Sequence, residues 1–215
     1  TTVGTGNPVD FRGSGSGGAL LTSKRSQETR KTVTIVFSDL KATTLDGEPL
    51  PPAALRDVMT SAFEESRQAL ARHGGTIEKF IGDAVMAVFG LPVRHEDGAL
   101  RAVRAALEMR RGLSSLAESL ERDQGIRLDV NIGVNTGEVV AGEASLGQRL
   151  VTGDAVNVAA RLEQAAAPLE VLIGRPTYVL VRDAVEVEEV EPLTLKGKAQ
   201  TVSAYRLLAV KSGEG

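Results

Sequence analysis

Cysteine is missing from the whole chain, which rules out disulfides and cysteine-ligated zinc and fits a reducing, cytoplasmic compartment. Tryptophan is missing too, and aromatic residues make up only 3% of the sequence. With a formal net charge of -3, neither the stacking platforms nor the basic stripe of a nucleic-acid surface is present. No apolar run approaches the roughly 20 residues that a transmembrane helix needs. The two histidines, His73 and His95, have no ligand-like spacing and read as a helix-end residue and a surface residue.

What is present suits one domain with its own core: 215 residues, 42% of them hydrophobic. Residues 1–30, rich in Gly, Ser and Thr and without strand or helix periodicity through Gly18, read as a flexible linker or a cloning remnant. They lack a basic stretch ahead of an apolar core, which argues against a signal peptide. The domain is expected over residues 31–210.

The stretch Gly74 to Gly90, GGTIEKFIGDAVMAVFG, holds two apolar runs, Thr76 to Ile81 and Ala84 to Phe89, hinged on Gly82-Asp83. That is the pattern of a β-hairpin with a two-residue turn. An Asp at such a tip is ordinary turn chemistry. A second apolar strand, residues 32–38, also ends on an acid, Asp39, so two strand-end carboxylates can make a metal site if the strands lie side by side.

The remaining pattern is a helix over 53–73, stopped by Gly74-Gly75, and a second over 96–122. A strand over 127–135 follows, then a turn at Asn135-Thr136-Gly137 and a short strand over 137–142. Asp154 reads as the N-cap of a third helix over 155–167. A strand over 170–173, a short helix over 175–182 and strands over 185–195 and 200–208 complete the chain. The order predicts an α+β fold: a ferredoxin-like βαββαβ core, helices on one face of the sheet, with additional C-terminal αβ elements. In that topology the end of the first strand and the hairpin turn meet at one edge, so Asp39 and Asp83 can converge.

Five separated blocks carry a resemblance: VTIVFSDL (33–40), GGTIEKFIGDAVMAVFG (74–90), NIGVNTGEVVAGE (131–143), LVTGDAVNVAARLE (150–163) and LKGK (195–198). Together they resemble the class III nucleotidyl cyclases, the adenylate and guanylate cyclase catalytic domains, in the wording of the soluble actinobacterial type often fused to ATPase or regulatory regions. The resemblance implies two Mg²⁺ or Mn²⁺ ions per site, held by Asp39 and Asp83 with the carbonyl of Leu40, hard oxygen donors of the kind Mg²⁺ requires. It implies that Asn157 positions the ribose and that Arg161, four residues on and on the same helix face, meets the charge building on the α-phosphoryl group. Lys196 is implied to reach the triphosphate, and Ala42-Thr43-Thr44 to be the loop whose amides hold phosphates. The family commonly has Gly where Ala42 stands and an uncharged residue where Lys41 stands.

Lys79 occupies the position where adenylate cyclases carry an adenine-contacting lysine, which implies ATP as substrate. Its usual partner is replaced by Leu150, which accepts no hydrogen bond, so selection between ATP and GTP is expected to be relaxed. Because the family builds each site between two domains, a chain with both residue sets implies a head-to-tail homodimer. A regulatory, nucleotide-binding cyclase-like domain with weak turnover, and a metal-dependent polymerase relative, are the competing readings. The second of these does not account for Asn157 and Arg161.

Overall fold

A computed structural model describes residues 29–93, 95–143, 149–194 and 201–211. The elements run β1 (Thr29–Thr44), α1 (Pro52–Arg72), β2 (Thr76–Ile81), β3 (Ala84–Phe89), α2 (Gly98–Gln124), β4 (Ile126–Glu143), β5 (Arg149–Thr152), α3 (Asp154–Ala165), β6 (Glu170–Gly174), α4 (Arg175–Val181), β7 (Val185–Glu189), β8 (Leu193–Thr194), β9 (Thr201–Val202) and β10 (Ala204–Val210). Among the described residues the main sheet has the order β2-β3-β1-β4-β6-β10-β7, with β5 paired to β4, and β8-β9 form a separate pair. The order β2-β3-β1-β4 is that of a ferredoxin-like core, as the sequence predicts. Pairing is antiparallel except between β4 and β6.

Strand β1 is covered on both sides, which is why Val33 to Val36 form an unbroken buried run, each at most 3% exposed. Side chains alternate across a strand. Val36 and Leu40 therefore join Val85, Phe89, Val130 and Ile132 under α1 and α2, while Val33 and Ile35 join Met86, Val88 and Val139 under Ala155 and Ala159 of α3. The two helices of the ferredoxin-like core, α1 and α2, share one face as expected, and α3, from the additional C-terminal elements, covers the other. An apolar strand buried on two sides needs a cover on each.

Some boundaries differ from those expected. Strand β1 does not stop at Asp39, because its register with β4 continues to Thr44↔Ile126. No turn breaks β4 at Asn135-Thr136-Gly137, which the sequence reading placed between two strands. Their polarity serves tertiary contacts instead: Asn135 Nδ2 donates to the Ala155 carbonyl at 3.2 Å, and Thr136 lies between the hydroxyls of Thr34 (2.9 Å) and Thr177 (3.0 Å). A Cβ on Gly137 would stand 2.8 Å from that of Ala155. Gly153 is the N-cap of α3 and Asp154 its first helical residue, so the capping role assigned to Asp154 is also corrected. The two C-terminal strands are four shorter ones. No helix among the described residues is long and apolar enough to cross a membrane.

Candidate active site

The hairpin turn brings the first pair of expected site residues together. Gly82, at φ +64°, takes the conformation a primed two-residue turn needs at its first central position, leaving Asp83 at the second. Asp39 pairs with Ala84, the residue after the turn, and the Leu40 N–H donates to the Asp83 carbonyl at 3.1 Å. In an antiparallel ladder a residue's N–H and C=O face the same edge, so the Leu40 carbonyl also faces the turn. Asp39 is half-buried and Asp83 exposed. Burial raises the Asp39 pKa, the charge of Asp83 and a hydrogen bond with its carboxyl raise it further, and the Leu40 amide and Lys41 pull the other way. A carboxyl whose proton uptake is raised by a neighbouring carboxyl belongs to a pair that a cation suits.

A third carboxylate, absent from the expected site, lies behind them. Glu163, on α3, is only 4% exposed. Helix α3 reaches the sheet because Gly133 of β4 has no side chain: a Cβ there would stand 2.2 Å from the Ala159 carbonyl oxygen and 2.4 Å from the Glu163 nitrogen. Gly133 pairs with Phe37 and Asn131 with Asp39, while Asn131 Nδ2 donates to the Ala166 carbonyl at the end of α3 at 3.0 Å. Glu163 is thereby seated one strand from Asp39, on the same face of the sheet. Burial first, then the charges of Asp39 and Asp83, push its carboxyl up to about 7. A signal existed: Glu163 is a charged residue in the apolar stripe of Ala155, Val158, Ala159 and Leu162. Among the described residues no three His, Cys, Asp or Glu side chains are grouped to hold a metal ion.

Asn157 and Arg161 are placed elsewhere. At about 100° per residue they lie on the side of α3 opposite its buried stripe. Asn157 is exposed, and half-buried Arg161 donates from Nη1 to Gln164 Oε1 at 3.2 Å. The structure therefore brings Asp39 and Asp83 together but turns Asn157 and Arg161 away from the sheet that carries them.

Lys79 stands in β2 opposite Met86, beside a register shift, and Leu150 in β5 opposite Gly142. Lys196 lies outside the described residues. The segment Ala42-Thr43-Thr44, expected as a loop, is the end of β1, paired with Leu128, Arg127 and Ile126. Thr44 is committed to the following turn, its N–H donating to the Glu48 carbonyl and its Oγ1 accepting from the Glu48 N–H. By alternation from Leu40, the Ala42 N–H faces the edge where β3 has ended. His73 caps α1, with Nε2 2.7 Å from Glu108 Oε2, and His95 is exposed. A cleft of about 800 Å³ at the other end of β1, lined by residues including Thr32, Thr34, Thr136 and Leu180, contains none of the expected site residues.

Residues 25–209 match the family described as the adenylate and guanylate cyclase catalytic domain. The terminal-differentiation specific adenylate cyclase of Dictyostelium discoideum is 30% identical over 83% of this chain and 9% of its own length. Adenylate cyclase 1 of Rhizobium meliloti is 29% identical over 84% of this chain and 28% of its own. Guanylate cyclase soluble subunit beta-2 of Rattus norvegicus is 27% identical over 86% of this chain and 27% of its own. The chain thus spans less than a third of the length of each of these relatives. Among solved structures, the adenylyl cyclase CyaB of P. aeruginosa superposes with a TM-score of 0.79 at 29% identity, covering 88% of this chain and 100% of that one. The guanylyl cyclase Cya2 gives a TM-score of 0.79 at 30% identity, covering 87% and 96%. With its ferredoxin-like core, the β1 acid beside the hairpin acid, and a family match over nearly all of its length, the chain belongs to the adenylate and guanylate cyclase catalytic domain family.

Proposed function

We propose that residues 31–210 form a catalytic domain that converts ATP to 3′,5′-cyclic AMP and pyrophosphate, in a head-to-tail homodimer with two shared sites. The observation that carries this reading is the opposed placement of two residue sets: Asp39 and Asp83 converge beside the hairpin, while Asn157 and Arg161 project from the far side of α3. Within one protomer the two sets lie on different sides of the site: the aspartates at the hairpin, and Asn157 and Arg161 opposite the buried stripe of α3. Two protomers related by a two-fold axis can turn both sets on the same nucleotide, each supplying one set to each site.

The residues fit a hard divalent cation. Asp39 and Asp83 offer carboxylate oxygens whose mutual proximity raises the Asp39 pKa, and the Leu40 carbonyl faces the same turn. Two carboxylates suffice where substrate phosphates and water complete an octahedron. Bound Mg²⁺ or Mn²⁺ ions would supply activation of the ribose 3′-hydroxyl and neutralisation of the triphosphate. In the reaction the 3′-oxygen bonds the α-phosphorus as the bond to pyrophosphate breaks, and the hydroxyl proton passes to solvent. Asn157 orients the ribose. The permanently charged fork of Arg161 offsets the negative charge that builds on the α-phosphoryl oxygens, and Lys196 and the Ala42 amide hold the polyphosphate.

Lys79 supports adenine as the base. Relatives named for both adenylate and guanylate cyclases match this chain, and Leu150 offers no polar contact, so discrimination against GTP is reduced. The test is cyclic nucleotide formation from ATP and, in parallel, GTP with Mn²⁺. Cyclic AMP from the wild type and a drop on the order of a hundredfold in Asp83→Ala are expected. Equal rates in the two proteins, or no product from either nucleotide, would overturn the enzyme reading. A clear preference for GTP would overturn the reading of Lys79.

A further inference from the structure

We propose that Glu163 is an outer carboxylate of the cation site, a positioning residue that raises the affinity of Asp39 and Asp83 for divalent ions without itself being a ligand. The inference rests on the divalent-cation reading of those two aspartates and deepens it.

A carboxylate buried to 4% exposure is costly unless hydrogen-bonded or paired. Glu163 has no hydrogen-bond or ion-pair partner for its side chain among the described residues, and the charges that act on it are Asp39 and Asp83, both of its own sign. The basic groups nearby serve others: Lys41 acts on Asp39, and Arg161 turns to Gln164. The position is nevertheless rigid. Glu163 is seated by the contact of its own backbone with Gly133 and by the Asn131 bond to the end of α3, both on the strand next to Asp39. Three carboxyls with Lys41 as the cation acting on Asp39 leave an excess of negative charge once all three are ionised. Divalent ions at the Asp39-Asp83 end offset it, and the third charge, fixed behind the pair, strengthens their hold before any nucleotide arrives.

The experiment is Mn²⁺ binding to the full chain without nucleotide at pH 8, where the Glu163 carboxyl, pushed up to about 7, is ionised, read as free Mn²⁺ by electron paramagnetic resonance, in the wild type, Glu163→Gln, Glu163→Met, Glu163→Asp and Asp83→Ala. Loss of the Glu163 charge is expected to weaken binding about tenfold. Glu163→Asp, still charged but one methylene shorter, should fall between. Glu163→Met places an apolar chain of similar length in the buried site and keeps the test available if the Gln variant folds poorly. The rise in melting temperature on adding Mn²⁺ should shrink in the uncharged variants, a readout that a purely structural role leaves unchanged. If Glu163→Gln and Glu163→Met bind Mn²⁺ as tightly as the wild type while Asp83→Ala does not, the role of Glu163 is refuted. If Asp83→Ala also binds as the wild type does, it is the assignment of the aspartates that fails.

Discussion

Glu163 holds its proton in the folded, metal-free protein over a range where an unfolded chain has already lost it. Its carboxyl is pushed up to about 7 from an ordinary 4.5, and burial and Asp83 raise Asp39 in the same direction. Between these two values the folded state binds more protons than the unfolded one, so folding stability is greatest below the ordinary value and declines as pH rises toward 7. The contribution of Glu163 is on the order of 3 kcal/mol. Denaturant unfolding in a chelator at pH 4.5 and at pH 7.5 should therefore show the wild type losing stability across the interval, with Glu163→Gln showing a shallower decline. An equal decline in both would remove Glu163 as its source. Asp39 and Asp83 were legible at this scale because each follows an apolar run of sequence within a distinctive block. Glu163 was not, because its neighbours are assembled from β1, the hairpin and α3.

The seat of α3 on β4 is the element on which the second face of the sheet depends. Gly133 allows the helix backbone to touch the strand, with the Ala159 carbonyl standing 2.2 Å from where a Cβ would be. The obstruction is backbone, so Gly133→Ala has to lift the helix rather than rotate a side chain. A loss of about 1–3 kcal/mol is expected by denaturant unfolding, as for other overpacked contacts, together with weaker Mn²⁺ binding because Glu163 moves with the helix. Wild-type stability in this variant would show that the contact gives way freely. The same strand shows why local pattern failed. Asn135-Thr136-Gly137 has turn composition, yet Asn135 and Thr136 are selected by α3 and by the Thr34-Thr136-Thr177 hydroxyl chain. Likewise β1 continues past Asp39 because β4 continues opposite it, information held some ninety residues away.

For the molecule as a whole, the opposed sides of α3 and the hairpin make a mixing experiment decisive. In the proposed dimer Asp83→Ala lacks one residue set and Arg161→Ala the other, and each homodimer is expected to be inactive at both sites. In a heterodimer of the two, one site collects both defects and the other has none. An equimolar mixture after subunit exchange should recover about a quarter of wild-type activity, since half of the dimers carry one intact site of two. No recovery, with exchange verified, would place all the groups of a site on one chain. Specific activity should also fall on dilution, because in the proposed arrangement a monomer holds only half-sites.

The sequence by itself determined the family, the βαββαβ order and the joint position of Asp39 and Asp83, because these are written in local periodicity, turn chemistry and contiguous blocks. Helix faces follow from spacing alone, so the pairing of Asn157 with Arg161 was legible too. Tertiary structure decided the rest. It continued β1 and β4 through residues that look like turns, set α3 against the face opposite α1 and α2, and turned Asn157 and Arg161 away from the aspartates of their own chain. It also placed Glu163 behind them. Each of these outcomes depends on what packs against a residue from a distant part of the chain, and the free energy of burying or pairing a group is a property of that neighbourhood rather than of the residue.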